Sequence, residues 1–527
     1  MSGKGSRSVY DTDIEIRSVL HPLVKVQSLT LQPGYGWKNT VLMPGVSGTN
    51  FLTLEMSDVQ PVNLSSRLSY LTDYPYGCIE QVTSKGFPQL YLSEFALRAG
   101  SGASAEKVVK EVINRLRSYQ TGEGSFAYWP GGTNANAWGT IYAAHFLLEA
   151  EARGYLVSET MKRNLLGNLH RLAGVWKSVR SNYASSEEGT QAYRLFVLAL
   201  AQSPDMGAMN RMKETASLLP MSRWMLASAY ALVGRKDVAS ALIRRTTNMT
   251  STYGEYDETY GSDVRDKAIR LLTLCLLDKA NEAAGVANEI SKSLSSNDWM
   301  STQSTAFALI AFSKYIHKYN VKGTMSFTYT CGGTVEKAST NANLWTKKWS
   351  FSSGQAARVE MKNTGKSTLF ARIITEGTPS AGRELPYSNG VSLSMNYTDL
   401  NGRLIDVSSL RQGTSFVISA TVRNLSSRTY RHLVLSEIFP AGWEILNTRY
   451  LNGGVMEVKT IGVSHQDARD DRVYSYIDFL PAGRQLTVKV NLCAVYSGRF
   501  YFPAVFCEAM YDRTVRSNVE GKWVEVK

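Results

Sequence analysis

The sequence predicts a multidomain chain of mixed α and β class: an α/α toroid of helical hairpins, inserted in a β-domain and followed by a β-sandwich. Three observations predict it. Apolar and polar residues alternate up to about residue 60, apolar residues take helical spacing from 61 to 320, and alternation returns from 321 onward. Connections between the helical stretches are short, which makes neighbouring helices antiparallel. Strands and helices come in three blocks rather than in alternation, so an insertion fits better than a parallel βαβ sheet.

Residues 1–7 are polar, read as an expression scar and are set aside. Residues 8–60 carry alternating runs such as Ile14-Glu15-Ile16 and Phe51-Leu52-Thr53-Leu54-Glu55-Met56, broken at Pro33-Gly34 and Pro44-Gly45. These strands are too few for a domain and need partners from elsewhere. From 61 to 320 the spacing predicts helices near 64–71, 78–98, 105–119, 138–152, 159–180, 188–201, 205–216, 222–233, 236–247, 262–279, 282–293 and 302–319. Pro204 and Pro220 open helices and Gly234 closes one. A dozen helices suit a solenoid or a closed barrel of six hairpins, and the lack of a strict repeat favours the closed form. Residues 321–383 hold strands at Met325–Thr330, Leu344–Phe351, Ala357–Met361 and Thr368–Ile374, which supply the partners that 8–60 lack. A linker, Thr378–Pro386, leads into 384–527. That last stretch reads as a β-sandwich with strands at Thr414–Asn424, Arg431–Glu437, Gln485–Tyr496 and Arg499–Met510.

Composition narrows the function. The surplus of 13 positive charges, 58 Lys+Arg against 45 Asp+Glu, is dispersed, which argues against nucleic-acid binding. No apolar run approaches the ~20 residues of a membrane helix. Of the five cysteines, Cys275 has the apolar neighbours of a buried inert thiol, and Cys331 has no special context. Cys493 and Cys507 lie on adjacent predicted strands and are candidates for pairing. Without Cys-x-x-Cys, and with six His, neither a structural metal nor a cofactor is expected.

The remaining thiol, Cys78, has unusual company. Tyr74-Pro75-Tyr76-Gly77-Cys78-Ile79-Glu80-Gln81 sets a turn before a helix, with the thiol at its first turn, where the dipole favours thiolate. Cys78 and Gln81 then sit one helical turn apart. A thiol attacking the Gln81 amide carbon would expel ammonia and close an internal thioester, a step that proximity favours. Glu80 either assists proton transfer in that step or is an exposed first-turn acid complementing the dipole. A thioester lasts only where water is kept out. The aromatics of the Gly-rich loop 122–132, Phe126, Tyr128 and Trp129, either wall such a site or pack over the mouth of the barrel, and the Tyr-rich loop 250–261 is read the same way. His145 lies in an apolar run and reads as a core histidine.

These residues resemble the α2-macroglobulin family, specifically its bacterial members. Pro75-Tyr76-Gly77-Cys78-Ile79-Glu80-Gln81 resembles the family's thioester signature. Gly124–Gly132, Trp299–Thr305, Asp470-Asp471-Arg472, Leu480–Gly483 and Glu508-Ala509-Met510-Tyr511 are similar to further family segments. The resemblance implies a toroidal thioester domain in a CUB-like β-domain, then a macroglobulin-like β-sandwich, together the C-terminal third of a longer protein. It implies a broad-spectrum, stoichiometric endopeptidase inhibitor of bacterial defence, not an enzyme. Such a protein traps target proteases and acylates their lysine amines from the Cys78–Gln81 bond. Tyr511 is the implied cover of that bond, with Tyr76, Tyr128 and Trp129 as further protection. Implied partners are the proteases and the upstream macroglobulin domains; the implied place is the periplasm or cell envelope, with any lipid anchor on the segment upstream. Two other readings stand beside it: a thioester adhesin attaching to host amines, and a Cys-nucleophile acyl transferase, for which Cys78 lacks a His/Asn partner.

Overall fold

Strands from either side of the helical stretch are hydrogen-bonded to one another. In the computed structural model one sheet runs Leu23–Leu31, Leu369–Gly377, Asn50–Ser57, Leu344–Phe351, every pair antiparallel. A second runs Gly36–Leu42, Ala356–Asn363, Met325–Cys331, Glu336–Thr340. Alternation is the cause: in Asn50–Ser57 and Met325–Cys331 every second side chain enters one core, formed by Leu52, Leu54, Met56, Phe327, Val359 and Ile373. The structure describes residues 2–3, 6–7, 23–58, 64–95, 101–178, 184–215, 218–244, 246, 258–296, 298–319, 324–341, 344–351, 356–378, 380, 382, 385–446 and 462–527. The run at Ile14–Ile16, most of the Tyr-rich loop 250–261, and parts of the linker 378–386 lie outside these residues.

The described residues between the two halves of this β-structure form twelve α-helices, each at an expected place. Every second one belongs to an inner circle. Ile79–Gly86 touches Ala137–Ala152, which touches Ala184–Leu200, then Pro220–Leu232, Asp263–Leu276 and Thr302–Tyr319, which returns to Ile79–Gly86. Buried side chains of these helices, Tyr142, Tyr193, Leu226, Leu271 and Phe307 among them, make one core. The helix expected over 78–98 divides. Pro88 has no N–H and its ring clashes with the preceding turn, so the α-helix stops at Gly86 and 3₁₀ turns follow from Pro88 to Phe95. The helix expected to 180 ends at Val175, because Trp176 turns extended.

The helical ring meets the sheets at the C-terminal end of helix Ala280–Ser295, whose last carbonyls have no partner within the helix. Arg67, 8% exposed, donates from Nε to the Leu294 carbonyl and from Nη2 to those of Ser293, Ser296 and Asp298, at 2.9 to 3.3 Å. Arg372, on the sheet and facing Glu55 of the next strand, donates to the Ser295 carbonyl at 3.2 Å.

The last block is a ten-stranded ladder whose two ends share one core, Phe416, Ile418, Leu433, Leu435, Val488 and Leu492. The strand expected over Arg499–Met510 is two strands. Gly498–Phe502 pairs with Lys522–Val526, and Phe506–Ala509 lies in the ten-stranded ladder. Pro503, unable to donate to a ladder, marks the break. That break also separates the two cysteines. Cys493, on Gln485–Ala494, and Cys507, on Phe506–Ala509, are both free thiols on strands that are not neighbours.

Candidate functional site

The strands Phe506–Ala509 and Asp512–Asn518 are joined by a two-residue turn, Met510-Tyr511, with a register shift between Glu508 and Ala509. This hairpin tip reaches the N-terminal end of helix Ile79–Gly86. Cys78 is the N-cap, with extended backbone, and is fully buried. Its N–H donates to Gln81 Oε1 at 3.3 Å, so the amide folds back over the residue that carries the thiol. Gln81 Nε2 donates to Met510 Sδ at 3.3 Å, and Cys78 Sγ lies 3.5 Å from the Tyr511 hydroxyl. The two side chains of the hairpin tip therefore touch the two side chains of the Cys78–Gln81 pair.

Local structure fixes that helix start. Ile79 N–H donates to the Tyr128 carbonyl at 3.0 Å, satisfying one free donor of the first turn from the Gly-rich loop. The Gly77 carbonyl accepts from the Tyr119 hydroxyl. A Cβ on Gly139 would lie 2.4 Å from Ile79 Cγ2, so the close approach of helix Ala137–Ala152 requires glycine there.

Glu80 is fully buried, and the exposed-acid reading is wrong for it. Its carboxylate accepts from Tyr511 at 2.8 Å, from Ser84 at 2.6 Å, and from Thr302 at 3.0 Å and 2.8 Å. Burial pushes its carboxyl above the ordinary range, against the pull of those three hydroxyls. Burial also pushes the Cys78 thiol up, to about 12, reinforced by the Glu80 charge; hydrogen bonds from Tyr128 and Tyr511 pull the other way. The helix dipole was expected to favour thiolate, and desolvation outweighs it.

Around the thiol the hydroxyls of Tyr128 and Tyr511 lie 3.4 Å apart, and Tyr260 packs on the Tyr511 ring at 4.7 Å between centroids. Tyr76 donates to Glu508 Oε1 at 3.0 Å and meets Tyr74, Tyr474 and Tyr476 edge to face. Trp129 stands further out, stacked on His465 and tilted against Tyr476. The Gly-rich loop thus walls the site with Tyr128 and ties it to the last domain with Trp129. Beyond Tyr128 opens a cavity of ≈ 1370 Å³ between this loop and the last domain. A smaller one, ≈ 350 Å³, lies on the side of Trp299–Ser301, and Tyr260 and His432 border both.

Cys78, Glu80, Gln81, Tyr76, Tyr128 and Tyr511 come together as the sequence reading requires. Participants not singled out include Ser84, Met510, Thr302, Tyr260 and His432. Met510 and Thr302 lie in segments already noted and Ser84 on the helix of the motif, and the last two differ: Tyr260 belongs to the Tyr-rich loop read as a possible wall, whereas His432 carries no motif. Each of these last two has left-handed backbone, φ 52°, a strain often found at functional sites. His432 packs against the rings of Tyr128, Tyr260 and Tyr511, and burial lowers its pKa to about 4, so it is neutral at ordinary pH. His145 is a core histidine, its Nδ1 2.9 Å from the Tyr193 hydroxyl.

Comparison with known proteins bears on this arrangement. Residues 390–513 match the family described as the bacterial alpha-2-macroglobulin MG10 domain. The chain is 27% identical to the alpha-2-macroglobulin of Escherichia coli over 518 residues, covering 91% of this chain and 30% of that protein. It is 25% identical to the alpha-2-macroglobulin of Xylella fastidiosa, covering 98% of this chain and 33% of that protein. The chain therefore spans about a third of the length of these curated relatives. In fold it is similar to native E. coli alpha-2-macroglobulin crystallised from domain MG7 to the C-terminus: TM-score 0.79, 22% identity, 97% of this chain and 83% of that one. A Salmonella alpha-2-macroglobulin reacted with methylamine also has a TM-score of 0.79, at 24% identity, over 96% of this chain and 34% of that one. These matches support the bacterial alpha-2-macroglobulin family, with this chain corresponding to its C-terminal region.

Proposed function

We propose that this chain is the C-terminal part of a protease inhibitor that captures proteases through a thioester between Cys78 Sγ and the Gln81 side-chain carbonyl. One observation carries the reading: thiol and amide share a helix start, buried, under a hairpin tip from another domain. Such a bond is a stored acylating group, spent once on a lysine amine when the last domain withdraws, which makes the protein a stoichiometric trap and not an enzyme. In this reading the helical ring is the toroidal thioester domain, held in a CUB-like β-domain and followed by a macroglobulin-like sandwich. Target proteases and upstream macroglobulin domains are the partners, and the periplasm or cell envelope is the place of action.

The Salmonella relative crystallised after reaction with methylamine supports the choice of probe. Intact mass decides. With the bond formed, the chain is lighter by one ammonia and Cys78 resists alkylation. Methylamine then adds at Gln81 and frees one thiol. Methylamine uptake by Cys78→Ala would overturn the assignment. Incubation of the full-length protein with a protease separates the trap from a surface adhesin, because only the trap yields a covalent protease conjugate.

A further inference from the structure

We infer that the hairpin tip Met510-Tyr511, besides covering the thioester, takes part in making it, with Tyr511 as a catalytic residue of ring closure. The inference rests on the thioester reading above. Closure has two chemical requirements. The thiol must lose its proton, and the amide nitrogen, a poor leaving group as NH₂⁻, must gain one. The Cys78 thiol is fully buried among aromatic rings, so it does not ionise by itself. It does lie at the start of a hydrogen-bonded chain: Sγ to the Tyr511 hydroxyl at 3.5 Å, and that hydroxyl to Glu80 Oε2 at 2.8 Å. Thr302 and Ser84 donate to the same carboxylate and hold its free lone pairs away from other partners.

The step balances along this chain. Sγ attacks the Gln81 side-chain carbon as its proton passes to the Tyr511 oxygen and the Tyr511 proton passes to Glu80. The Sγ–Cδ bond forms and the Cδ–Nε2 bond breaks. Nε2 leaves as ammonia, taking up the one proton that Glu80 has gained, so Tyr511 and Glu80 end as they began. Two further contacts serve the same step. The Cys78 N–H points at Gln81 Oε1, where negative charge grows in the tetrahedral intermediate. Met510 Sδ accepts from the departing Nε2 and orients it. Thiol, relay and leaving nitrogen are aligned only with the last domain docked. Closure therefore follows docking, and the bond is covered from the moment it exists.

The test reads the side chain of Gln81 by peptide mass at intervals after synthesis of the full chain. An unclosed molecule keeps the amide, a closed one lacks ammonia, and one that closed and then hydrolysed carries a carboxylic acid in place of the amide. Tyr511→Phe keeps the ring and removes the hydroxyl. The relay predicts closure at least about a hundredfold slower, with the amide of Gln81 retained. A cover alone predicts that Tyr511→Phe closes at the wild-type rate and then accumulates the hydrolysed acid, which would overturn the inference. The wild-type chain supplies a second measurement that does not depend on the folding of Tyr511→Phe. Its closure rate should fall as pH is lowered and Glu80 takes up a proton, and Glu80→Gln, slow at every pH, should show no such fall. A wild-type rate flat across acid pH would equally overturn the relay. Failure of the thioester reading looks different: wild type itself would keep both the Gln81 amide and a free thiol.

Discussion

Among the described residues, the helical ring meets β-structure at two junctions built from different chemistry. At one, Arg372 reaches from the sheet to the carbonyls at a helix C-terminus that Arg67, from helix Leu64–Asp73 of the ring itself, also holds, positive charge set against the negative end of a dipole. At the other, the ring meets the hairpin tip through aromatic faces and tyrosine hydroxyls around Cys78, with Tyr511, Tyr128 and Tyr76 as its main groups and the carboxylates of Glu80 and Glu508 accepting from two of them. A buried guanidinium that clasps several carbonyls is costly to pull away, since its donors lose partners that water does not replace. Aromatic edges and hydroxyls separate at smaller cost, because water meets the freed hydroxyls. The first junction is the costlier to break, and the proposed function needs only the second to part.

Four substitutions test the contrast, in order of expected effect. Arg67→Ala should lower stability by about 4 kcal/mol, read as the denaturant midpoint, while methylamine uptake by the folded protein stays at the wild-type rate. An increase in uptake without loss of stability would reverse the roles of the two junctions. Glu437, fully buried in the last domain with neither carboxylate oxygen partnered among the described residues, has its pKa raised from 4.5 to about 8 by desolvation. The folded carboxyl keeps its proton where the unfolded one has lost it. Stability of the domain that carries the hairpin therefore falls as pH rises from about 4.5 to about 8, and is flat above. Glu437→Gln should remove that slope and stabilise the chain at pH 9 by on the order of 3 kcal/mol, seen in melts across pH.

Trp129→Ala removes the stacking on His465 and Tyr476 and should loosen only the second junction, by about 2 kcal/mol. Methylamine uptake should then rise by roughly 30-fold with little change in the melt. Tyr76→Phe, which loses only the hydrogen bond to Glu508, should quicken uptake by about fivefold, or about 1 kcal/mol. Equal melting losses for Trp129→Ala and Arg67→Ala would erase the distinction.

The two junctions also differ in how far the sequence revealed them. Helix places followed from periodicity, and the strands of both sheets from alternation, because burial of one face imposes those periods directly. Cys78, Glu80 and Gln81 were legible as a motif, with Tyr511 assigned through the resemblance. The clasp was not. Nothing around Arg67 or Arg372 distinguishes them from the other basic residues, since their partners are backbone carbonyls that any sequence supplies. His432 stayed hidden for a related reason: its place by Tyr511 comes from tertiary packing and a left-handed backbone, whereas Tyr260 fell in the Tyr-rich loop already read as a possible wall. Two readings failed where long-range burial overruled a local rule. Of the two readings of Glu80, the solvent-facing first-turn acid fell, and so did that of Cys78 as a dipole-stabilised thiolate. A third failed at Pro503, which divides one expected strand and parts Cys493 from Cys507.

The two-residue turn at Met510-Tyr511 has a mechanical side. Its strands are stitched into the ladder, Phe506–Ala509 pairing with Tyr430–Ile438, so the tip is the end of a stiff beam and not a swinging flap. A beam moves as one piece. Displacing the domain a few ångströms withdraws the Tyr511 hydroxyl and the Met510 sulfur in a single stroke, leaving no half-drawn position in which one still bears on its partner. In the proposed trap each molecule would then behave like a fuse, whole or blown, and a partial response in a sample would count the molecules that have fired.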